Sequence, residues 1–172
     1  LRVAQIDLAD PVPGELVRAE RALGHESRLV TLFRDRRGYF EDICLNLAFI
    51  DFAGTRWIKR RVSAPERLRV DNRLRIPGEI PPVWRPHSGA ESLLVRLRDR
   101  MWAPAIRAAI ARHGLDRFDV YQLDGGLDFT REPRFIPEMH QRGRRIICCY
   151  TGSDLRTRGV IPAIDALSDL NV

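Results

Sequence analysis

The chain has 172 residues, of which 44% are hydrophobic and 30% charged, and a formal net charge of +6. That length suits one domain, able to bury about 70% of the surface of its unfolded chain without a disulfide or metal staple. The composition excludes a membrane span, a coiled coil, a secreted disulfide scaffold and a disordered tail, and the first eight residues lack the pattern of a signal peptide. A cytoplasmic α/β domain is the expectation.

Leu1 to Leu8 is short, apolar and bounded by Asp10-Pro11, the pattern of a buried strand. Pro13 can open a helix, Leu16, Ala19, Ala22 and Leu23 follow helical spacing, and Gly24 lies just past the last apolar position. Ser27 to Phe33 is a second apolar run. Strand, helix and strand within the first 33 residues make a βαβ unit, whose right-handed crossover sets the two strands parallel.

Tyr39 to Ile50 carries Phe40, Ile43, Leu47 and Ile50 at steps of three or four, which predicts an amphipathic helix. From Arg56 to Gly89, five prolines and a local density of arginine suggest either a mobile surface element, able to touch an anionic lipid or phosphate, or a segment packed against the sheet edge. Ser92 to His113 has an i+4 stripe of Leu93, Leu97, Met101, Ala105 and Ala109, and Pro104 inside it predicts a kink or two abutting helices. Phe118 to Leu123 reads as a strand followed by Asp124-Gly125-Gly126, and Arg134 to Gln141 as a short helix. Arg145 to Tyr150 reads as a buried strand followed by Thr151-Gly-Ser-Asp154, and Ile161 to Leu167 as helical. Asn171-Val172 breaks off where a further strand is expected to begin.

Strands alternating with helices predict a Rossmann-like, three-layer αβα domain with a mostly parallel sheet. Such sheets bind ligands beyond the carboxyl ends of their strands, so the segments Asp7–Gly14, Asp124–Asp128 and Thr151–Arg156 should converge in one crevice. The dinucleotide fingerprint G-x-G-x-x-G and the phosphate-binding P-loop are both absent, which argues against a dehydrogenase or a P-loop enzyme. Gly125 and Gly126 allow either close backbone approach to a ligand or a plain turn. Thr151, Gly152, Ser153 and Asp154 could hold sugar hydroxyls or a phosphate; equally, Ser153 or Asp154 could simply cap the helix that follows. Asp7, Asp124, Asp128 and Asp154 are the candidate acids, and Arg156 a candidate phosphate ligand.

Four scattered histidines and three cysteines show no metal-ligand spacing, so no metal or other cofactor is expected. Cys148 and Cys149 should point to opposite faces of their strand as small buried groups. A net positive charge attracts anionic partners, but the chain lacks the aromatic-basic interleaving of single-strand binders, so nucleic acid is not the expected partner.

Three runs together resemble the amino-terminal half of GT-B-fold, family-4-like glycosyltransferases (glycosyl transferases group 1). They are Phe118-Asp-Val-Tyr-Gln-Leu-Asp-Gly-Gly126, Pro137-Glu-Met-His-Gln-Arg-Gly-Arg-Arg-Ile-Ile147 and Tyr150-Thr-Gly-Ser-Asp-Leu-Arg156. Arg18-Ala-Glu-Arg-Ala-Leu-Gly-His25 is similar to the family's first helix, and the resemblance covers residues 1–50 and 93–172. Where the family often has His-x-His this chain has Gln122-Leu-Asp124, and where it often has His before Gly-Ser-Asp this chain has Thr151.

The resemblance implies an acceptor-side domain spanning 1–172, with a carboxyl-terminal donor domain outside this chain. It implies transfer of a sugar from a nucleotide-sugar donor to a glycan, lipid or small-molecule acceptor, with this piece alone inactive. Asp124, in the family's histidine position, becomes the candidate for contacting the transferred sugar; Asp7, Gly14, Gly125, Gly126 and the Thr151–Arg156 segment become substrate-binding candidates. The partners implied are the missing domain and, peripherally, the inner membrane face. The alternatives are another Rossmann-like nucleotide-sugar enzyme and a basic anion- or nucleic-acid-binding module.

Overall fold

The computed structural model describes residues 1–7, 12–34, 37–50, 79–81, 84–86, 88–157 and 159–172, without the side chains at 153, 156 and 157. The expected mobile loop of Arg56 to Gly89 therefore falls largely outside the described residues. The core is a six-stranded, all-parallel sheet with helices on both faces, the Rossmann-like α/β architecture that the alternating pattern predicts. In chain order the elements are β1 (Arg2–Asp7), α1 (Val12–Ala22), β2 (Glu26–Thr31), β3 (Ile43–Cys44) and α2 (Gly89–His113). A 3-10 turn (Leu115–Arg117) leads to β4 (Val120–Asp124), α3 (Phe135–Gln141) and β5 (Arg145–Cys149). Then come α4 (Gly152–Thr157), α5 (Pro162–Asp165) and β6 (Leu170–Asn171).

The sheet order is β3-β2-β1-β4-β5-β6. The chain builds outward from β1 to β3, and the long helix α2 then returns it to lay β4 on the other side of β1. Doubly covered parallel strands must be apolar on both faces. Accordingly Val3 to Asp7 of β1 is buried throughout, and Val30, Tyr121, Leu123, Ile146 and Cys148 of its neighbours lose essentially all contact with water. Tyr121 carries a polar tip into this core. Its hydroxyl donates to the Leu115 carbonyl at 2.6 Å, and burial pushes its pKa up to about 12. Cys148 and Cys149 do point to opposite faces, one buried and one half-buried, and burial raises both thiols, which leaves them protonated at neutral pH.

Two expectations are corrected. Tyr39 to Ile50 is not a helix: it runs beside β2, with Ile43–Cys44 paired parallel to Val30–Thr31. Its backbone donors go to that strand, Asp42 N–H to Leu29 (3.2 Å), Leu45 to Thr31 (2.9 Å) and Leu47 to Leu32 (2.9 Å). An extended edge with partners outside itself satisfies these groups as well as a helix would, while Asn46 and Phe49, at φ 46° and 66°, turn the chain. Helix α2 is one element through Pro104, because Pro104 lies on its exposed side, where water can take the carbonyl left without a donor. The i+4 stripe of α2 also faces the opposite way from the core, since Glu91, Trp102 and Ile106 are the buried positions. The further strand expected at Asn171 is present, as Leu170–Asn171 paired parallel with Ile147–Cys148.

Candidate functional site

The point where the strand order reverses lies between β1 and β4, the place where open parallel sheets bind ligands; residues 8–11, which follow β1, lie outside the described residues. Ile6 pairs with Leu123, so Asp7 and Asp124 end the two central strands at neighbouring register positions. Asp7 is buried and Asp124 half-buried. The sequence therefore places two carboxylates at the position that the topology reserves for ligands.

β5 brings the third predicted segment alongside. Asp124 pairs in register with Cys149, and Gly125 N–H donates to the Cys149 carbonyl at 2.7 Å. Gly125 and Gly126 both have positive φ, 60° and 65°, so the chain turns sharply at the sheet edge. The space beside Gly126 is occupied by Tyr150: a Cβ there would lie 2.7 Å from the Tyr150 hydroxyl and 3.0 Å from its ring. The phenol is held in turn by Asp165, which accepts its hydroxyl at 3.1 Å, and its pKa is raised chiefly by burial. Gly126 thus lets the turn after β4 close against the end of β5.

Thr151 to Asp154 form a reciprocal cap on α4. The Thr151 N–H and hydroxyl donate to Asp154 Oδ2 at 3.0 and 2.7 Å, and Asp154 N–H points back at Thr151 Oγ1 at 3.4 Å. Thr151 is therefore the cap, in place of Ser153 or Asp154, and Asp154 is its third-position partner. Gly152 is the first residue of this helix, and the side chains of Ser153 and Arg156 lie outside the described residues. Gly14 sits in the first turns of α1, buried against Phe40 at an ordinary contact distance of 3.5 Å. The structure thus brings Asp7, Asp124–Gly126 and Thr151–Asp154 to one edge, with Gly14 packed behind it.

Asp128, another predicted acid, has a structural task. One carboxylate oxygen accepts its neighbour Phe129 N–H at 2.6 Å, and the other accepts Arg134 and Ile136 N–H at 2.7 and 3.1 Å. These bonds fold residues 128–136 into the start of α3. Burial raises the Asp128 pKa, and the backbone bonds oppose that rise.

The same β4–α3 loop carries a feature that the sequence reading missed. Thr130 to Arg134, Trp84 and one side of α2 line an open cleft of about 890 Å³, with Arg96, Arg100 and Arg107 along the helix side. Arg131 is fixed beside it. Two of its nitrogens donate to the Trp84 carbonyl at 2.9 and 2.6 Å, its guanidinium stands 5.2 Å from the Trp84 ring, and Glu91 lies 3.8 Å away. The signal was present as arginines at 96, 100 and 107 along one helix, but it becomes a cleft only once residues 130–134 fold against them.

Among the described residues no group of three or more His, Cys, Asp or Glu side chains could hold a metal ion, and no helix is long and apolar enough to cross a membrane. No family model, no curated protein and no solved structure matches this chain.

Proposed function

We propose that this chain is the acceptor-side domain of a two-domain glycosyltransferase that moves a sugar from a nucleotide-sugar to a glycan, lipid or small-molecule acceptor. The observation that carries the reading is that Asp7 and Asp124 follow the last residues paired between the two central strands, at the reversal of strand order, with Gly125–Gly126 and the Thr151–Asp154 cap at the same edge. Two of these segments, 124–126 and 151–154, fall within the runs that resemble the family-4-like enzymes, and Asp7 joins them through the sheet topology. In this reading Asp124 contacts the transferred sugar. Asp154 is a positioning residue, because its carboxylate is engaged in holding the start of α4. A second domain supplies most of the nucleotide contacts, no metal takes part, and the compartment is the cytoplasm.

The test uses the natural polypeptide that contains this chain, with a panel of nucleoside-diphosphate sugars and candidate acceptors. Asp124→Asn should lower kcat by tenfold or more while the unfolding midpoint stays at the wild-type value, since Asp124 is only half-buried at a strand end. A folded Asp124→Asn protein with full activity would overturn the assignment of the crevice. Failure to transfer sugar from, or to bind, any nucleotide-sugar would overturn the reaction class.

A further inference from the structure

Helix α2 runs 25 residues, about 37 Å at 1.5 Å per residue, and only one side of it is buried. On the opposite side Leu93, Leu97 and Met101 are 67%, 61% and 45% exposed, and Leu94 joins them at 39%. Each four-residue step advances about 40° around a helix, so these four side chains share an arc of about 100°. Arg96, Arg100 and Arg107 fall in the adjoining arc, on the side that lines the cleft. None of the three has an ion-pair partner among the described residues, whereas the carboxylates nearby are engaged, Asp99 with Arg98 at 2.7 Å and Glu132 with Arg134 at 3.0 Å.

A leucine stripe in water bordered by unpaired arginines is the two-sided chemistry of a helix that lies in a lipid interface: apolar side chains enter the acyl boundary while cations meet phosphates. We propose that this face of α2 docks on an anionic bilayer. Charge complementarity selects that occupant. A second copy of the chain laid on the same face would bring arginine rows together without carboxylates to match. A nucleic acid would meet leucine and methionine where it needs aromatic rings to stack on. The proposal stands on α2 alone and is independent of the glycosyl-transfer reading.

The experiment is vesicle sedimentation of the chain with phosphatidylcholine doped with phosphatidylglycerol, against pure phosphatidylcholine. Wild type should partition at least tenfold more strongly onto the anionic vesicles, and added salt should reduce this. Leu93→Ser with Leu97→Ser should lower binding at least tenfold, and Arg96→Gln with Arg100→Gln about fivefold for each arginine removed. All four side chains are at the surface, so the variants should keep wild-type circular dichroism and urea midpoints. Equal binding to both vesicle types, or wild-type binding by the folded leucine variant, would overturn the proposal. So would a dimer in analytical ultracentrifugation that dissociates in the leucine variant, or, in a Leu97→Cys protein without lipid, a thiol shielded from maleimide.

Discussion

Replacing Asp128 by alanine is the sharpest test of how the β4–α3 loop is held. The carboxylate is buried and accepts three backbone donors, from Phe129, Arg134 and Ile136. Arg134 is exposed, so water can take over its N–H, but Phe129 and Ile136 are buried. An unsatisfied buried donor costs about 1–3 kcal/mol. The alanine variant also escapes the desolvation of a buried charge, which offsets part of that loss. Two stranded donors with partial relief give a net destabilisation of about 2–4 kcal/mol, more than the roughly 0.5–2 kcal/mol that loss of a helix cap alone costs.

With a urea slope of about 2 kcal/mol/M that is a fall of roughly 1–2 M in midpoint at unchanged slope. Asp128→Asn separates the parts. Its single oxygen can keep Arg134 and Ile136, but its amide then faces the Phe129 N–H, so the cost should be about 1–2 kcal/mol. The pH sign follows from the raised pKa. A raised carboxyl pKa means that native protein binds the proton more readily than the unfolded chain, so that contribution is present below about pH 4 and is lost as pH rises through the folded value. The asparagine variant lacks that component. An alanine variant within about 0.5 kcal/mol of wild type, with amide exchange at 129 and 136 unchanged, would refute the argument.

Gly126→Ala should destabilise by about 1–3 kcal/mol, because φ is 65° and the new methyl meets the Tyr150 phenol at 2.7 Å. Adding Tyr150→Phe should recover part of the loss in a double-mutant cycle, and strictly additive changes would contradict the contact. Asp169 accepts Ile146 N–H at 2.9 Å and Arg145 at 2.6 Å, and these bonds, the backbone one first, lower its pKa. A lowered carboxyl pKa gives stability that is present above about pH 4 and lost as pH falls through the folded value. Acid titration of unfolding should therefore be shallower for Asp169→Asn; identical profiles would exclude the linkage.

The strands, and the gathering of their ends at one edge, were legible because their signals are local. Near-continuous apolar runs ending in Asp-Gly-Gly or Thr-Gly-Ser-Asp mark buried parallel strands and their exits, and topology then gathers the exits at one edge. Residues 39–50 were misread because spacing of three or four also arises when an edge segment drops Ile43, Leu47 and Ile50 onto the core from an extended chain. What decided the matter was β2, whose carbonyls accept this segment's donors across 13 to 15 positions of sequence. Helix α2 posed a different ambiguity. It has two apolar arcs, Trp102 with Ile106 and Leu93 with Leu97, and periodicity cannot say which one meets the sheet.

The placement of Asp128 ties these features into one mechanical argument. The loop from Gly125 to Arg134 leaves the crevice at Asp124 and ends at the arginine-lined cleft, where Arg131 is locked to Trp84. Asp128 stands between the two and fixes the loop to the start of α3. A carboxylate that accepts three amides leaves this loop few ways to move, so the glycine turn and the Arg131–Trp84 clasp are held as parts of one rigid piece. The strand edge at Asp124 and the arginine-lined side of α2 are thereby joined through one loop, held at its middle by Asp128.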